Sequence, residues 1–539
     1  MFISTRTSMH KENSFPVFRH WVPEWMIRVI LFLVVLPSLV LFFLPLANIP
    51  AAAGYYGCEP SDIQYAVALF YAGYTGFYLL ERRFFSFFAS KEYFILFTSL
   101  QALTAFAAWR TDSLYVFFPL RLLQGMLFSA MVNLSLTLMF THLRTERARE
   151  VSFSIFFGLL LCTVPFNNLV TADLVDSFDF NILYKCAAFS YLPSLFLILL
   201  TMNNVHLHVK FPLYNLDWQS FLLYTTILCL AGFVLIYGQE YYWLEDKRIA
   251  GSVIAIVLLG FVYAVRQRRM RRPYMRLSVF RSRNFNVAIL LLFIMYICRF
   301  ASGVTNTFFA SVLKFDPMHV SYINVFNIAG LIVGVFVACL LILQRYPIRF
   351  IWLTGFMALL VFHGVMYFLF DTQADEDHFF IPLFVQGLGV GMIMVPTIVF
   401  SISSVPVVEA TSAAAVCLAV RFLGFCAAIS AINYFELLGK GRHYNAFQDH
   451  LTKLDPEVRH TLALQTQQLV HKGIPASQAG RLANRLLVNA LGGQNQLRFA
   501  MDYYEMMFIL LAGTLLLILC FPFLSRTVVY LKRRVLSPA

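Results

Sequence analysis

Apolar runs of about 20 residues, each long enough to cross a bilayer, succeed one another from Trp25 to Arg526, separated by short charged loops. Reading the chain with a window of about 19 residues gives spans near 25–49, 63–80, 93–109, 114–140, 151–170, 182–201, 219–237, 249–265, 285–308, 319–343, 350–370, 379–404, 410–435 and 504–524. The pattern predicts an all-α polytopic membrane protein with fourteen transmembrane helices, and an even count places both ends of the chain on one side.

Loop charge predicts which side. One set of loops is basic: Arg82, Arg83 and Lys91; Arg144, Arg147 and Arg149; the run Arg266, Arg268, Arg269, Arg271, Arg272, Arg276, Arg281 and Arg283; Arg345 and Arg349; and Lys532, Arg533 and Arg534. The alternate loops carry Glu59 and Asp62, then Asp173, Asp176 and Asp179, then Asp371, Asp375, Glu376 and Asp377. Basic loops stay on the cytoplasmic side, so the N- and C-termini are expected there, with 1–24 a cytoplasmic arm and 525–539 a cytoplasmic tail. The segment 436–503 is too long and polar for a connector and falls outside. Asp455-Pro456-Glu457 reads as a helix start, with an N-cap, a first-turn Pro and an acid, and Gly473 as its end. Ser477 is placed to cap a second helix that carries Leu482, Leu486 and Leu487 and stops at Gly492-Gly493. An extracytoplasmic helical hairpin is expected, either a structural lid or a docking site.

Composition agrees with membrane residence: 60% of residues are hydrophobic and only 13% charged, with a mean hydropathy of +0.71, against about 25% charge in soluble domains. The net charge of +13 sits mainly in one set of loops, which argues against a nucleic-acid partner. The nine Cys are scattered singly with no C-x-x-C, so neither a metal site nor a disulfide framework is indicated. The first apolar run is too long for a signal-peptide core and lacks a small-residue cleavage site, so no cleaved signal is expected. No P-loop or nucleophile elbow stands in a sensible context. No enzymatic activity and no cofactor are expected, and any work must draw on an ion or substrate gradient.

Several strings together resemble the major facilitator superfamily. They include Pro119-Leu-Arg121-Leu-Leu-Gln124-Gly125 in the fourth span, Asn215-Leu-Asp217-Trp218 before Gly238 and Trp243, and Arg272-Pro273 through Val279-Phe280-Arg281-Ser-Arg283-Asn-Phe285. Gln386-Gly387-Leu-Gly389-Val-Gly391 with Pro396, Arg421-Phe-Leu-Gly424 and the long penultimate loop complete the set. In order and spacing they are similar to the fourteen-span drug:proton antiporter family of multidrug exporters. The resemblance implies a major facilitator fold: a six-helix bundle over 25–201, an inserted helix pair and basic loop over 202–284, and a second six-helix bundle over 285–524. It also implies a cargo cavity between rocking bundles, protons as the coupling ion, residence in a bacterial-type inner membrane and, as in some members, a periplasmic adaptor with an outer-membrane channel. The chain departs from the family in three places. The first-span Asp of many members falls near Leu41, upstream of Asn48-Ile-Pro50. The loop signature after the second span survives as Gly76-Phe-Tyr-Leu-Leu-Glu81-Arg82-Arg83. The fifth-span signature is reduced to Gly158 and Val164-Pro165-Phe-Asn167-Asn168.

No Asp or Glu lies well inside a span. The carboxylates nearest the membrane are Glu81 and Glu409 on the expected cytoplasmic side, and Asp62, Glu240, Glu436 and Glu505 outside. The deep charges are Arg121, Arg299 and Arg421, each costing about 2.5–3.5 kcal/mol to insert and so expected to face protein or a wet cavity. Arg121, with Gln124 and Gly125, matches the family motif and fits proton coupling; it equally fits a guanidinium that satisfies helix carbonyls. Arg299 fits attraction of an anionic cargo group, or pairing with a boundary acid. Arg421 fits a structural role. His363 is the deep group that titrates near neutrality, suited to a proton relay or to hydrogen-bonded packing. Asn306, Asn324, Asn327 and Gln386 are expected at the substrate cavity or as interhelical ties, and Asn133 as an interhelical tie. Glu81, Arg82 and Arg83 are expected in a gating loop. Gly330-x-x-x-Gly334 and the Gly387/Gly389/Gly391 row are placed for close helix contact.

Overall fold

A computed structural model describes residues 17–142, 148–206, 216–270, 272–451 and 455–521, without the side chains of Arg82, Arg83, Phe140, Thr141, His142, Ala148, Arg149 and His450. Arg144, Arg147, Arg271 and Asn215, residues 1–16 of the expected arm and the whole tail 525–539 therefore lie outside the described residues. The apolar runs form helices throughout: α1 (Glu24–Ala47), α2 (Ile49–Tyr56), α3 (Pro60–Phe85), α4 (Ser90–Arg110), α5 (Leu114–His142), α6 (Ala148–Ser177), α7 (Ile182–Thr201), α8 (Trp218–Tyr237) and α9 (Lys247–Arg269). They continue as α10 (Arg283–Phe300), α11 (Ser302–Ser311), α12 (Pro317–Leu343), α13 (Ile348–Leu369), α14 (Asp377–Ser403), α15 (Ala410–His450), α16 (Pro456–His471) and α17 (Ala476–Cys520). An isolated antiparallel bridge between Phe18 and Met202 is the one β pairing among the described residues.

Each expected span contains a helix, but among the described residues only twelve segments are both long and apolar enough to cross a membrane by themselves. α3 and α4 have the length and fall short in hydropathy. Their polar side chains are sheltered: Thr75, Glu81, Thr98 and Gln101 are all buried. The run expected over 285–308 is broken at Ala301, between α10 and α11.

The segment 436–503 corrects the sequence reading. α16 begins as expected, capped by Asp455, whose side chain accepts from the Glu457 amide, and the chain turns at Gly473 with φ +88°. Gly492-Gly493 does not end a helix: α17 runs unbroken from Ala476 to Cys520, its start preceded by Pro475 rather than capped by Ser477. α15 likewise continues past 435 to His450. A helical Gly costs only about 1 kcal/mol against Ala, less than nucleating a new helix. The two extensions also support each other. Asn495 donates to the Lys440 carbonyl at 3.0 Å, and His443 Nε2 lies 2.7 Å from Asp502.

The chain divides into two compact units. The first comprises Met1–Phe156, Ser177–Leu230 and Ala255–Leu277. Within it α3 and α5 touch through glycines: a Cβ on Gly125 would collide with the Phe70 carbonyl, and one on Gly73 with the Leu122 carbonyl. The segment before α1 straps onto the end of α7, with Arg19 N–H donating to the Thr201 carbonyl at 2.9 Å and Asn203 N–H to that of Val17 at 2.8 Å. Asp217 Oδ1 accepts from Arg266 at 2.9 Å, Ser220 Oγ accepts from Arg266 Nε and Gln267 Nε2, both at 2.9 Å, and Tyr274 Oη donates to the Gly76 carbonyl at 2.5 Å. This network ties α8, α9 and the segment after them to α3.

The second unit comprises Phe157–Asp176, Ala231–Ile254 and Ser278–Ala539. Its α12 and α14 pack backbone to backbone, as the glycine spacing leads one to expect. A Cβ on Gly330 or Gly334 would strike the Phe384 or Leu388 carbonyl, and one on Gly387 or Gly391 the backbone of α12. Gly238 is fixed differently: the Trp243 ring lies where its Cβ would be, at 2.7 Å.

Candidate functional site

Arg121 projects from α5 into the first unit and is completely buried. A buried cation must find acceptors, and this one finds them on α1. Its two terminal nitrogens donate to the Leu41 carbonyl at 3.0 Å and the Phe42 carbonyl at 2.7 Å, and to Gln124 Oε1 at 2.9 Å. The Phe70 ring lies 4.6 Å beneath the guanidinium. The Leu41 carbonyl is available for a covalent reason. Pro45 stands four residues later inside α1 and has no N–H to give it. The region around Leu41 thus offers Arg121 backbone oxygen and not a carboxylate. Gln124 orients the guanidinium and Gly125 brings α3 close, so the motif's three residues work together.

The same relation recurs in the second unit. Pro165 lies inside α6 and strips the Leu161 carbonyl of its helical donor; Arg299, one residue from the end of α10, donates to that carbonyl at 2.9 Å. A third case uses a hydroxyl: Pro37 leaves Leu33 without its donor, and Ser194 Oγ supplies one at 2.8 Å. Arg421, buried on α15, donates from Nε to Tyr296 Oη at 2.9 Å and stands 5.2 Å from the Phe157 ring. His363 is fully buried, its Nδ1 2.8 Å from the Leu359 carbonyl one turn earlier, its ring tilted against Tyr504 at 5.1 Å. Tyr504 in turn bonds Thr305 and, at 3.3 Å, the Ala301 carbonyl at the α10–α11 junction.

The expected polar residues of the second unit bond to one another across helices. Asn324 donates to Asn306 Oδ1 at 3.2 Å, joining α12 to α11. Asn327 donates to Gln386 Oε1 and to the Leu383 carbonyl, both at 3.1 Å, joining α12 to α14. Asn324 and Gln386 are buried, Asn306 and Asn327 half-buried. The three arginines stand on separate helices, and Arg299 and Arg421 share the Tyr296 ring, at 6.0 and 5.8 Å.

Glu81 departs from its expected setting. It is not in a loop but on α3, as are Arg82 and Arg83, whose side chains are outside the described set. Glu81 is buried, with one carboxylate oxygen accepting from Tyr93 Oη at 2.9 Å and the other from Asn133 Nδ2 at 3.0 Å. A protein-enclosed carboxylate that accepts from a tyrosine and an asparagine is therefore present although the hydropathy profile showed none inside a span. A cleft of about 450 Å³ beside the α15 extension, lined by Gln239, Tyr434, Leu437, Leu438, Gly441 and Arg442, contains none of the expected site residues. Sequence reasoning named Arg121, Arg299 and Pro165 separately; what it missed was Pro45 and the four-residue offset that gives Arg121 and Arg299 each a carbonyl acceptor.

The helical path is shared with solved transporter structures. A POT family transporter in complex with 5-aminolevulinic acid matches 95% of this chain and 99% of its own with a TM-score of 0.59 at 13% identity. The chain has the major facilitator fold. A nucleoside transporter, NupG, matches 91% of the chain with a TM-score of 0.52 at 12% identity, covering 99% of its own length. The human organic anion transporter MFSD10 matches 92% of the chain with a TM-score of 0.50 at 12% identity, again covering 99% of its own. No protein-family profile matches the sequence. Among curated proteins, the colistin resistance protein EmrB of Acinetobacter baumannii is 19% identical over 340 residues, 62% of this chain, and the matched region spans 64% of that relative. The solved structures are transporters by name, and the curated relative is named as a resistance protein.

Proposed function

We propose that this multi-pass protein is a secondary transporter of the drug:proton antiporter branch, exporting amphipathic small molecules from the cytoplasm by alternating access. The observation that carries the reading is the major facilitator fold sustained over nearly the whole chain, supported by the partial similarity to a resistance protein. The fourteen-helix organisation, cytoplasmic termini and inner-membrane residence belong to the same reading. So does a periplasmic adaptor with an outer-membrane channel, for which the helical extensions of α15 and α17 are the natural platform. Protons drive the cycle through Glu81, because a carboxylate enclosed by protein is the group whose proton affinity a conformational change alters most readily. Arg121 holds α1 at its proline and does not itself exchange the proton.

The test uses purified protein in proteoliposomes and rhodamine 123 as the cargo probe. Wild type should accumulate dye when a proton gradient is imposed, whereas Glu81→Gln should lose the gradient's effect and retain dye exchange between equal pools. Equal accumulation with and without the gradient would reject proton coupling. No movement of rhodamine 123, with an established exporter active in parallel vesicles, would reject cationic amphipathic cargo.

A further inference from the structure

Arg299 is open by sequence to two readings, as a ligand for an anionic cargo and as a partner of a boundary acid; its hydrogen bond to the Leu161 carbonyl supports a third. An α-helical carbonyl normally accepts from the amide four residues on. Pro165 is the residue four beyond Leu161, and its ring also crowds that carbonyl, so the helix bends and the oxygen is left without its own donor. An unpaired backbone oxygen in a membrane-embedded segment costs free energy comparable to a lost hydrogen bond. Arg299 Nη2, 2.9 Å away on α10, makes good that loss. The segment of α6 in the second unit is held on its other sides as well: Gly158 meets Val335 of α12, Ser321 Oγ donates to the Asn168 carbonyl at 3.1 Å, and Phe157 lies under Arg421. The arrangement of Pro45, Leu41 and Arg121 in the first unit repeats the same offset with different helices.

We propose that Pro165 and Arg299 form one positioning device, a proline bend in α6 pinned from α10, and that Arg299 sets the rate of the transport cycle through this bend and does not bind cargo. The device deepens the transporter reading and rests on it only for the flux arm of its test. The physical consequence is reciprocal. Replacing Arg299 orphans the Leu161 carbonyl; replacing Pro165 by Ala restores the helical donor and takes that acceptor from the guanidinium. Replacing both removes the carbonyl's need and the cation together.

The experiment is a double-mutant cycle on the purified full-length protein in lipid, with Arg299→Gln, Pro165→Ala, the double variant and Arg299→Lys. Two readouts are taken: the melting temperature, which needs no transport, and initial flux of the opposite-charge xanthene dyes fluorescein and rhodamine 123. Each single replacement should lower the melting temperature, and the double should lie well above the sum of their losses. In flux, each single variant should cut kcat for both dyes by about tenfold with KM little changed, the double should recover to within about threefold of wild type, and Arg299→Lys, which keeps a donor, should stay within that same range. Additive losses in melting temperature would overturn the device even if every variant transports. A rise in KM confined to fluorescein in Arg299→Gln would overturn it in favour of an anion-binding arginine. Coupled melting temperatures with no flux from any variant, wild type included, would leave the device standing and reject the transporter reading beneath it.

Discussion

At the scale of single residues, the polar groups inside this chain are settled by backbone as often as by side chains. Three helix-interior prolines each free a carbonyl, and two arginines and a serine answer them. That solution lets a deep arginine persist without a carboxylate. Charge pairing proper appears outside the spans, at Asp217. Burial pushes its carboxyl up, but hydrogen bonds from Ser220 and the Arg266 guanidinium outweigh this and hold it below its ordinary value. A carboxylate depressed on folding stabilises the protein above its unfolded pKa, about 3.9, and loses that contribution as pH falls through the folded value. Asp217→Asn should therefore cost about 1–3 kcal/mol at neutral pH. Thermal unfolding of the two proteins should show a gap that is constant above about pH 5 and narrows below about pH 4. A gap independent of pH down to the acid limit would mean that the amide disturbs packing and that the charge contributes nothing.

At the scale of elements, close backbone approach is the dominant device. α12 and α14 meet through four glycines, and any side chain there would occupy backbone space. Gly387→Val should consequently force the helices apart and cost at least about 1–3 kcal/mol, read as a lowered melting temperature. Gly251→Val, where an added Cβ meets nothing within 4 Å, should be close to neutral. Comparable losses at both positions would show that general helix propensity is being measured and not the seam. The helices themselves were legible in the sequence because hydropathy reports them directly, and the glycine seams because small-residue spacing does. Gly492-Gly493 misled for a physical reason: glycine permits a stop and does not compel one, and the decisive support, from Asn495 and Asp502 onto α15, is tertiary. The setting of Glu81 was hidden similarly, since the shelter supplied by Tyr93 and Asn133 comes from two other helices. Pairing of Arg299 with Pro165 leaves no local trace because 134 positions separate the partners in sequence, although each residue taken alone was conspicuous.

At the scale of the whole molecule, the segment outside the spans is an outgrowth of two spans, with only α16 built separately between them. This changes what an experiment on it can ask. Excising 455–492 would cut away the first third of α17 along with α16, and loss of export would then follow from damage to the last span. Removing 455–474 alone takes out α16 and its turn and leaves both extensions, with the Asn495–Lys440 and His443–Asp502 contacts intact. A protein so shortened should insert and melt like wild type and retain dye flux in proteoliposomes, where no adaptor is present. If the outgrowth is a platform for an adaptor, the same protein should fail to protect cells whose export has to cross two membranes. Loss of flux in vesicles would instead assign α16 to the transport cycle itself. Protection of whole cells by the shortened protein would remove the reason for placing a partner there, and would leave the extensions as a stiff helical pair whose value lies in bracing α15 against α17.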